Sequence, residues 1–187
     1  KSLREVLSDR FETVYAEGCD IIKTSEDGFA DAVKAAEESD VVVMALGGNC
    51  GWVNVTGGEG KDRQSLELPG VQEKLLETVA ATGKPIVIVL YGPGIFSVNW
   101  AVEHVSGIIQ AWMPGPFANV LDGTANPGGK LNVTVPRSAG QIPIFYNHKN
   151  GSGYASGSDA TSATIFSGGY TDGPGTPLYP FGYGLSY

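Results

Sequence analysis

The chain has 187 residues, 42% hydrophobic and 17% charged, which is enough to bury a core and too apolar for a disordered polymer. A formal net charge of -8 without any basic run argues against nucleic-acid and anionic-membrane partners. No apolar stretch approaches the roughly 20 residues of a membrane span, so a soluble protein is expected, with its compartment (cytoplasmic, secreted or periplasmic) left open.

In chain order, Leu3, Val6 and Leu7 have helical spacing and are followed by a short apolar run, Thr13 to Ala16, read as a strand. Phe29, Val33 and Ala36 mark a second helix before Val41 to Leu46 (VVVMAL), a continuous β-branched run that reads as a buried strand. Val71, Leu75, Leu76 and Val79 mark a third helix, with Pro69 at its start and Gly83 and Pro85 beyond its end. Ile86 to Tyr91, Gly107 to Trp112 and Leu131 to Val135 complete five predicted strands. Alternation of strands with amphipathic helices predicts an α/β fold, a mostly parallel sheet sandwiched by helices on both faces, over residues 1–146. Residues 147–187 are rich in Gly, Ser, Thr and Asp and are read as a long irregular extension of the same domain. Tyr154, Phe166, Tyr170 and the aromatic ending TPLYPFGYGLSY are expected to pack rather than hang in water.

The two cysteines, Cys19 and Cys50, are too few for a disulfide framework and lack metal-ligand spacing, so both are read as free thiols. His104 and His148 offer little for a metal site or a serine–histidine–aspartate triad, and neither a metal nor an organic cofactor is expected. Asn54, Asn132 and Asn150 head Asn-X-Ser/Thr sequons, read as chance occurrences unless the source is a eukaryotic secretory one. Gly92, Pro93 and Gly94 resemble the start of a dinucleotide fingerprint, but Ser97 stands in place of its third glycine, and Asn126 to Leu131 lacks the Ser or Thr of a phosphate loop. Turn chemistry is the expected role of both.

The segment Thr56 to Gly70, TGGEGKDRQSLELPG, carries the strongest chemical signal. It follows a buried strand, where ligands bind in open α/β sheets, and Gly57, Gly58 and Gly60 leave Glu59 unobstructed. Glu59 suits the acid of glycosidic bond cleavage, which in retaining enzymes needs a second carboxylate about 5 to 5.5 Å away. Asp40, Asp62, Glu67 and Glu73 are poor candidates for that partner: Asp62 precedes Arg63 and is expected to pair with it and shape the loop, while Glu67 and Glu73 border a helix start. Trp52 either stacks on a sugar or anchors the loop in the core.

Taken in order, YAEGCD (15–20), SDVVVMALGG (39–48), GGEGKDRQSLELPGVQEKLLETV (57–79), KPIVIVLYGPG (84–94), QAWMPG (110–115), NPGGKLNVTVPRS (126–138) and PLYPFGYGLSY (177–187) resemble the carboxyl-terminal α/β sandwich of glycoside hydrolase family 3. The resemblance implies a retaining exo-β-glycosidase, foremost a β-glucosidase, in which Glu59 is the acid/base. It implies that the nucleophilic aspartate lies on an N-terminal (β/α)8 barrel outside this chain, so that the chain alone is inactive, and that a fibronectin type III-like domain can follow. The substrate implied is a β-glucoside or related oligosaccharide. Competing readings are a noncatalytic carbohydrate-binding or scaffold module and, more distantly, a nucleotide-binding domain. Two departures stand out: Pro114 to Val120 is shorter than the family's usual glycine-rich stretch, and Phe166 to Asp172 lacks an arginine common in relatives.

Overall fold

In the computed structural model, which describes residues 2–113, 117–147, 170 and 172–187, three of the five apolar runs pair as strands. They are β1 (Val42–Gly47), β2 (Ile86–Tyr91) and β3 (Gly107–Trp112), all parallel and in the order β1-β2-β3. The helices are α1 (Leu3–Leu7), α2 (Phe29–Glu37), α3 (Gln72–Ala80), α4 (Asn99–His104) and α5 (Ala118–Leu121). The α/β class expected from the pattern is therefore the observed one. The described residues form two compact units, Lys1–Asn126 and Pro127–Tyr187.

The first unit holds the sheet. Met44 and Leu46 of β1 and Ile86, Ile88, Val89 and Leu90 of β2 are buried, joined by Leu75, Leu76 and Val79 of α3 and by Phe29 and Ala36 of α2. Helix α3 packs on α2 and on β1, which explains why the apolar stripe of each faces inward. Ser2 caps α1 in a reciprocal box with Glu5, and Asp122, just after α5, binds Arg10, which follows α1. At the end of α3, Gly83 takes φ +73°, the left-handed conformation that a helix stop favours.

Two expected strands are corrected. Thr13 to Ala16 joins no sheet: Val14 and Tyr15 are 52% and 64% exposed, and a run this short has no neighbour to pair with among the described residues. Leu131 to Val135 belongs to the second unit and forms only an isolated antiparallel bridge, Val135 with Tyr179. Pro136 and Pro180 each follow a bridge residue and have no amide to extend the ladder.

In the second unit the chain's end is nevertheless clamped. The Leu131 amide donates to Tyr183, the Gly182 amide to Leu131, and the Leu178 and Val135 amides complete the bridge. The buried Gln141 side chain donates to the Pro174 and Thr176 carbonyls and accepts from the Arg137 amide. Tyr170 donates to the Gly140 carbonyl, so this expected packing aromatic is engaged. His148, Asn150, Tyr154 and Phe166 lie outside the described residues, as do Pro114 to Pro116 and most of Phe166 to Asp172.

Candidate functional site

The carboxyl ends of the three strands lie side by side, Gly47 beside Tyr91 and Tyr91 beside Trp112. The turn out of β1 is fixed from two directions. Gly47 has φ +127°, and a β-carbon there would sit 1.9 Å from the Tyr91 carbonyl oxygen, so only glycine fits. The buried side chain of Gln72, in the first turn of α3, accepts from the Gly47 amide at 2.7 Å and donates to the Gly47 carbonyl at 2.7 Å. Its amide nitrogen also reaches the Ile21 carbonyl at 3.0 Å. A primary amide here does what a neighbouring strand would do, meeting both polar groups of a buried peptide.

Beyond Gly47 the loop folds on itself. The Gly48 amide donates to Tyr91, the Thr56 amide to the Asn49 carbonyl, and the Asn49 amide to the Thr56 hydroxyl at 2.9 Å. Residues 58 to 61 then close a tight hairpin in which Gly58 and Lys61 exchange both backbone hydrogen bonds at 3.0 Å. Glu59 and Gly60 are its two central residues. Gly60 has φ +69° and Glu59 is not in the left-handed region, the pattern of a type II turn with glycine at its second central position. Glu59 is thus exposed at the tip of a hairpin, with no ion-pair partner among the described residues.

The glycines have separate tasks. Gly57 is buried, and a β-carbon on it would press on Arg63 and Pro93 at 3.3 and 3.4 Å. Gly58, with φ +133°, abuts Cys50, whose β-carbon lies 3.1 Å from where a Gly58 β-carbon would be. Gly92 (φ +139°) makes a similar close approach to Gly48, which gives the Gly92 to Gly94 segment a role in packing the turn.

Arg63 and Asp62 do not pair with each other. The Arg63 guanidinium lies 4.4 Å over the Phe96 ring and donates to the Glu67 carbonyl, and partial burial pulls its pKa below the ordinary value. Phe96 is buried and offers a π face, whereas Asp62 is exposed, where an ion pair gains little. Trp52 is 102% exposed, so it does not anchor the loop in the core. Residues Ile22, Val55, Thr56, Arg63, Gln64 and Leu68 are among those lining an open cleft of about 380 Å³ beside the hairpin. Glu73 is raised by burial and then by the nearby Glu77 and Glu67 charges. Among the described residues no group of three His, Cys, Asp or Glu side chains is arranged to hold a metal ion. His104 is exposed and stacks flat on Trp100, with ring centroids 4.0 Å apart. Among the described residues no helix is long and apolar enough to cross a membrane.

The loop that leaves β1 thus carries an exposed carboxylate at the tip of a tight hairpin. Residues 1–187 match the glycosyl hydrolase family 3 C-terminal domain. The chain belongs to that family. Among relatives of this family 3 domain, a β-xylosidase of Formosa agariphila is 38% identical over 193 residues, an alignment covering 99% of this chain and 24% of the relative. A periplasmic β-glucosidase of Salmonella typhimurium is 36% identical over 184 residues, covering 95% of this chain and 23% of the relative. The crystal structure of a β-glucosidase from Listeria innocua in complex with isofagomine superposes with a TM-score of 0.84 at 33% identity, over 100% of this chain and 26% of that one. The family 3 domain described here spans about a quarter of the length of these relatives.

Two contributors to the site were missed from the sequence. Gln72 occupies the position three and four residues before Leu75 and Leu76, on the stripe that α3 buries, and a polar residue on that stripe was the available signal. Met113, with its sulfur 3.9 Å from that of Cys50, had no signal of its own.

Proposed function

We propose that this chain is the acid/base-bearing domain of a retaining exo-β-glycosidase acting on terminal β-glucosyl residues, with Glu59 as the acid/base. The observation that supports it best is the Gly58–Lys61 hairpin, which presents Glu59 in the open beyond the sheet, as a carboxyl group must be if it completes a site shared with another part of a longer protein. Membership of a glycosyl hydrolase C-terminal domain family supplies the reaction class. In the first step Glu59, protonated, gives its proton to the departing oxygen while a second carboxylate attacks the anomeric carbon. In the second, Glu59 as carboxylate takes a proton from the water that releases the sugar. That second carboxylate belongs, on this reading, to an N-terminal (β/α)8 barrel, and a fibronectin type III-like domain can follow the chain. On this reading Trp52, on the same loop and fully exposed, stacks on the leaving-group side of the substrate; its exposure supports that role. Gly57, Gly58, Gly60 and Arg63 shape the loop, and Asp62 borders the hairpin.

A β-xyloside is the second substrate reading, favoured by the relative named a β-xylosidase at 38% identity. The test uses the longer glycosidase that carries this chain. Glu59→Ala is expected to lower turnover of p-nitrophenyl β-glucoside by about 100-fold or more, with azide restoring turnover of substrates that have good leaving groups. Wild-type turnover in the variant ends the assignment of Glu59. Higher kcat/KM on the matched β-xyloside would move the substrate and leave the mechanism in place.

A further inference from the structure

The hairpin that carries Glu59 has a support that acid/base chemistry does not itself require. Behind Gly58 lies Cys50, close enough that no β-carbon fits between them without displacement. Behind Cys50 lies Met113: the thiol points at the thioether sulfur across 3.9 Å. Met113 is the first residue past β3, and its backbone is aimed by an irregularity. The pairing of β2 with β3 shifts register at Leu90/Tyr91, and Trp112 takes φ +56°, a costly conformation for a bulky residue. The Gly92 amide binds the Trp112 carbonyl at 2.8 Å and holds that turn in place. The register shift and the left-handed residue together direct the chain after β3 back toward the loop that leaves β1. A contact path therefore runs from the end of β3 through Met113 and Cys50 to Gly58, the residue before Glu59.

We infer that Met113 and Cys50 are positioning residues for Glu59: the two sulfur side chains form a stop that sets how far the Gly58–Lys61 hairpin lies toward the strand ends. This rests on the acid/base reading of Glu59. Both side chains are soft and polarisable, which suits a contact that fills an irregular gap. Met113 is 53% exposed, so its truncation removes the stop while leaving the core intact. Misplacement of a proton donor by even an ångström costs rate in proportion to how much the leaving group needs the proton.

The experiment compares Met113→Ala, Met113→Leu and Glu59→Ala in the longer glycosidase, measuring kcat/KM on aryl β-glycosides whose phenols range from dinitrophenol to phenol. Met113→Ala should lower kcat/KM about 10-fold for the phenyl glycoside and less than about two-fold for the dinitrophenyl one. Met113→Leu, which keeps the volume, should recover most of the loss. A merely structural role would lower all substrates alike, so a parallel loss, or no loss, overturns the inference. Glu59→Ala separates the two layers. If it steepens the leaving-group dependence and Met113→Ala does not, the positioning role alone fails; if it does not steepen it, the acid/base reading fails first. In the same longer glycosidase, hydrogen exchange of the Lys61 amide, bonded to Gly58 at 3.0 Å, should be several-fold faster in Met113→Ala. Unchanged exchange also overturns the inference.

Discussion

Replacing Gln72 by methionine keeps the helix and much of the side-chain volume and deletes three hydrogen bonds at once. Two of them, each 2.7 Å, satisfy the amide and carbonyl of Gly47, which is buried. The third goes to Ile21, which is 37% exposed and can turn to water. Leaving a buried polar group unmet costs about 1 to 3 kcal/mol, so two such groups give about 2 to 6 kcal/mol. Part returns because methionine need not be desolvated as an amide, and about 3 kcal/mol is expected. For a chain of this size that lowers Tm by about 6 to 12 °C. Urea denaturation followed by far-UV circular dichroism reads the free energy directly, and Gln72→Glu serves as a control: a carboxylate accepts from the Gly47 amide but cannot donate to its carbonyl. If Gln72→Met falls within about 1 kcal/mol of the parent, the Gln72 amide is not what holds the exit of β1, and the reasoning fails.

Other expectations follow from the same contacts. Arg63→Ala should destabilise by about 2 kcal/mol through loss of the Phe96 contact and the Glu67 hydrogen bond; Arg63→Lys should not restore it, and equal urea midpoints for Lys and wild type would count against the stacked geometry. Trp52→Ala should leave the midpoint within about 0.5 kcal/mol, because the side chain is wholly exposed; a larger loss means that the ring packs after all. Ellman's reagent should find one fast thiol, the exposed Cys50, and one slow one, Cys19, whose pKa is raised by burial and then by Asp20 and Glu17; Cys50→Ser should abolish the fast phase. Hydrogen bonds from Thr124, then Arg10, hold Asp122 down at about 2. Its stabilising contribution is complete above the unfolded carboxyl value and is lost as pH falls through about 4 toward 2. The stability gap between wild type and Asp122→Asn should therefore close over that window, and a gap independent of pH would refute the linkage.

β2 and β3 were readable in the sequence because Ile86 to Tyr91 and Gly107 to Trp112 are largely apolar runs of strand length, with β2 paired on both sides and β3 on one. Thr13 to Ala16 has the same composition on a smaller scale and stays unpaired, since pairing depends on a partner that local sequence does not name. The turn around Glu59 was readable for a different reason: glycines on both sides of an acid report a backbone requirement, and Gly58 and Gly60 do have positive φ. Arg63 was recognised as a loop residue with the wrong partner, because adjacency to Asp62 is visible in one dimension and the Phe96 ring, 33 residues on, is not. The Cys50 to Met113 contact depends on a register shift in the sheet, which no residue pattern announces.

The turn at the hairpin tip asks for glycine at position 60 and asks nothing of position 59, whose backbone is ordinary and whose side chain is in the open. Glu59 can therefore be exchanged with little folding penalty, so whatever position 59 contributes and the stability of the turn rest on different residues of the same loop. A lineage could trade glutamate for aspartate, glutamine or a nonfunctional residue and still inherit an intact domain.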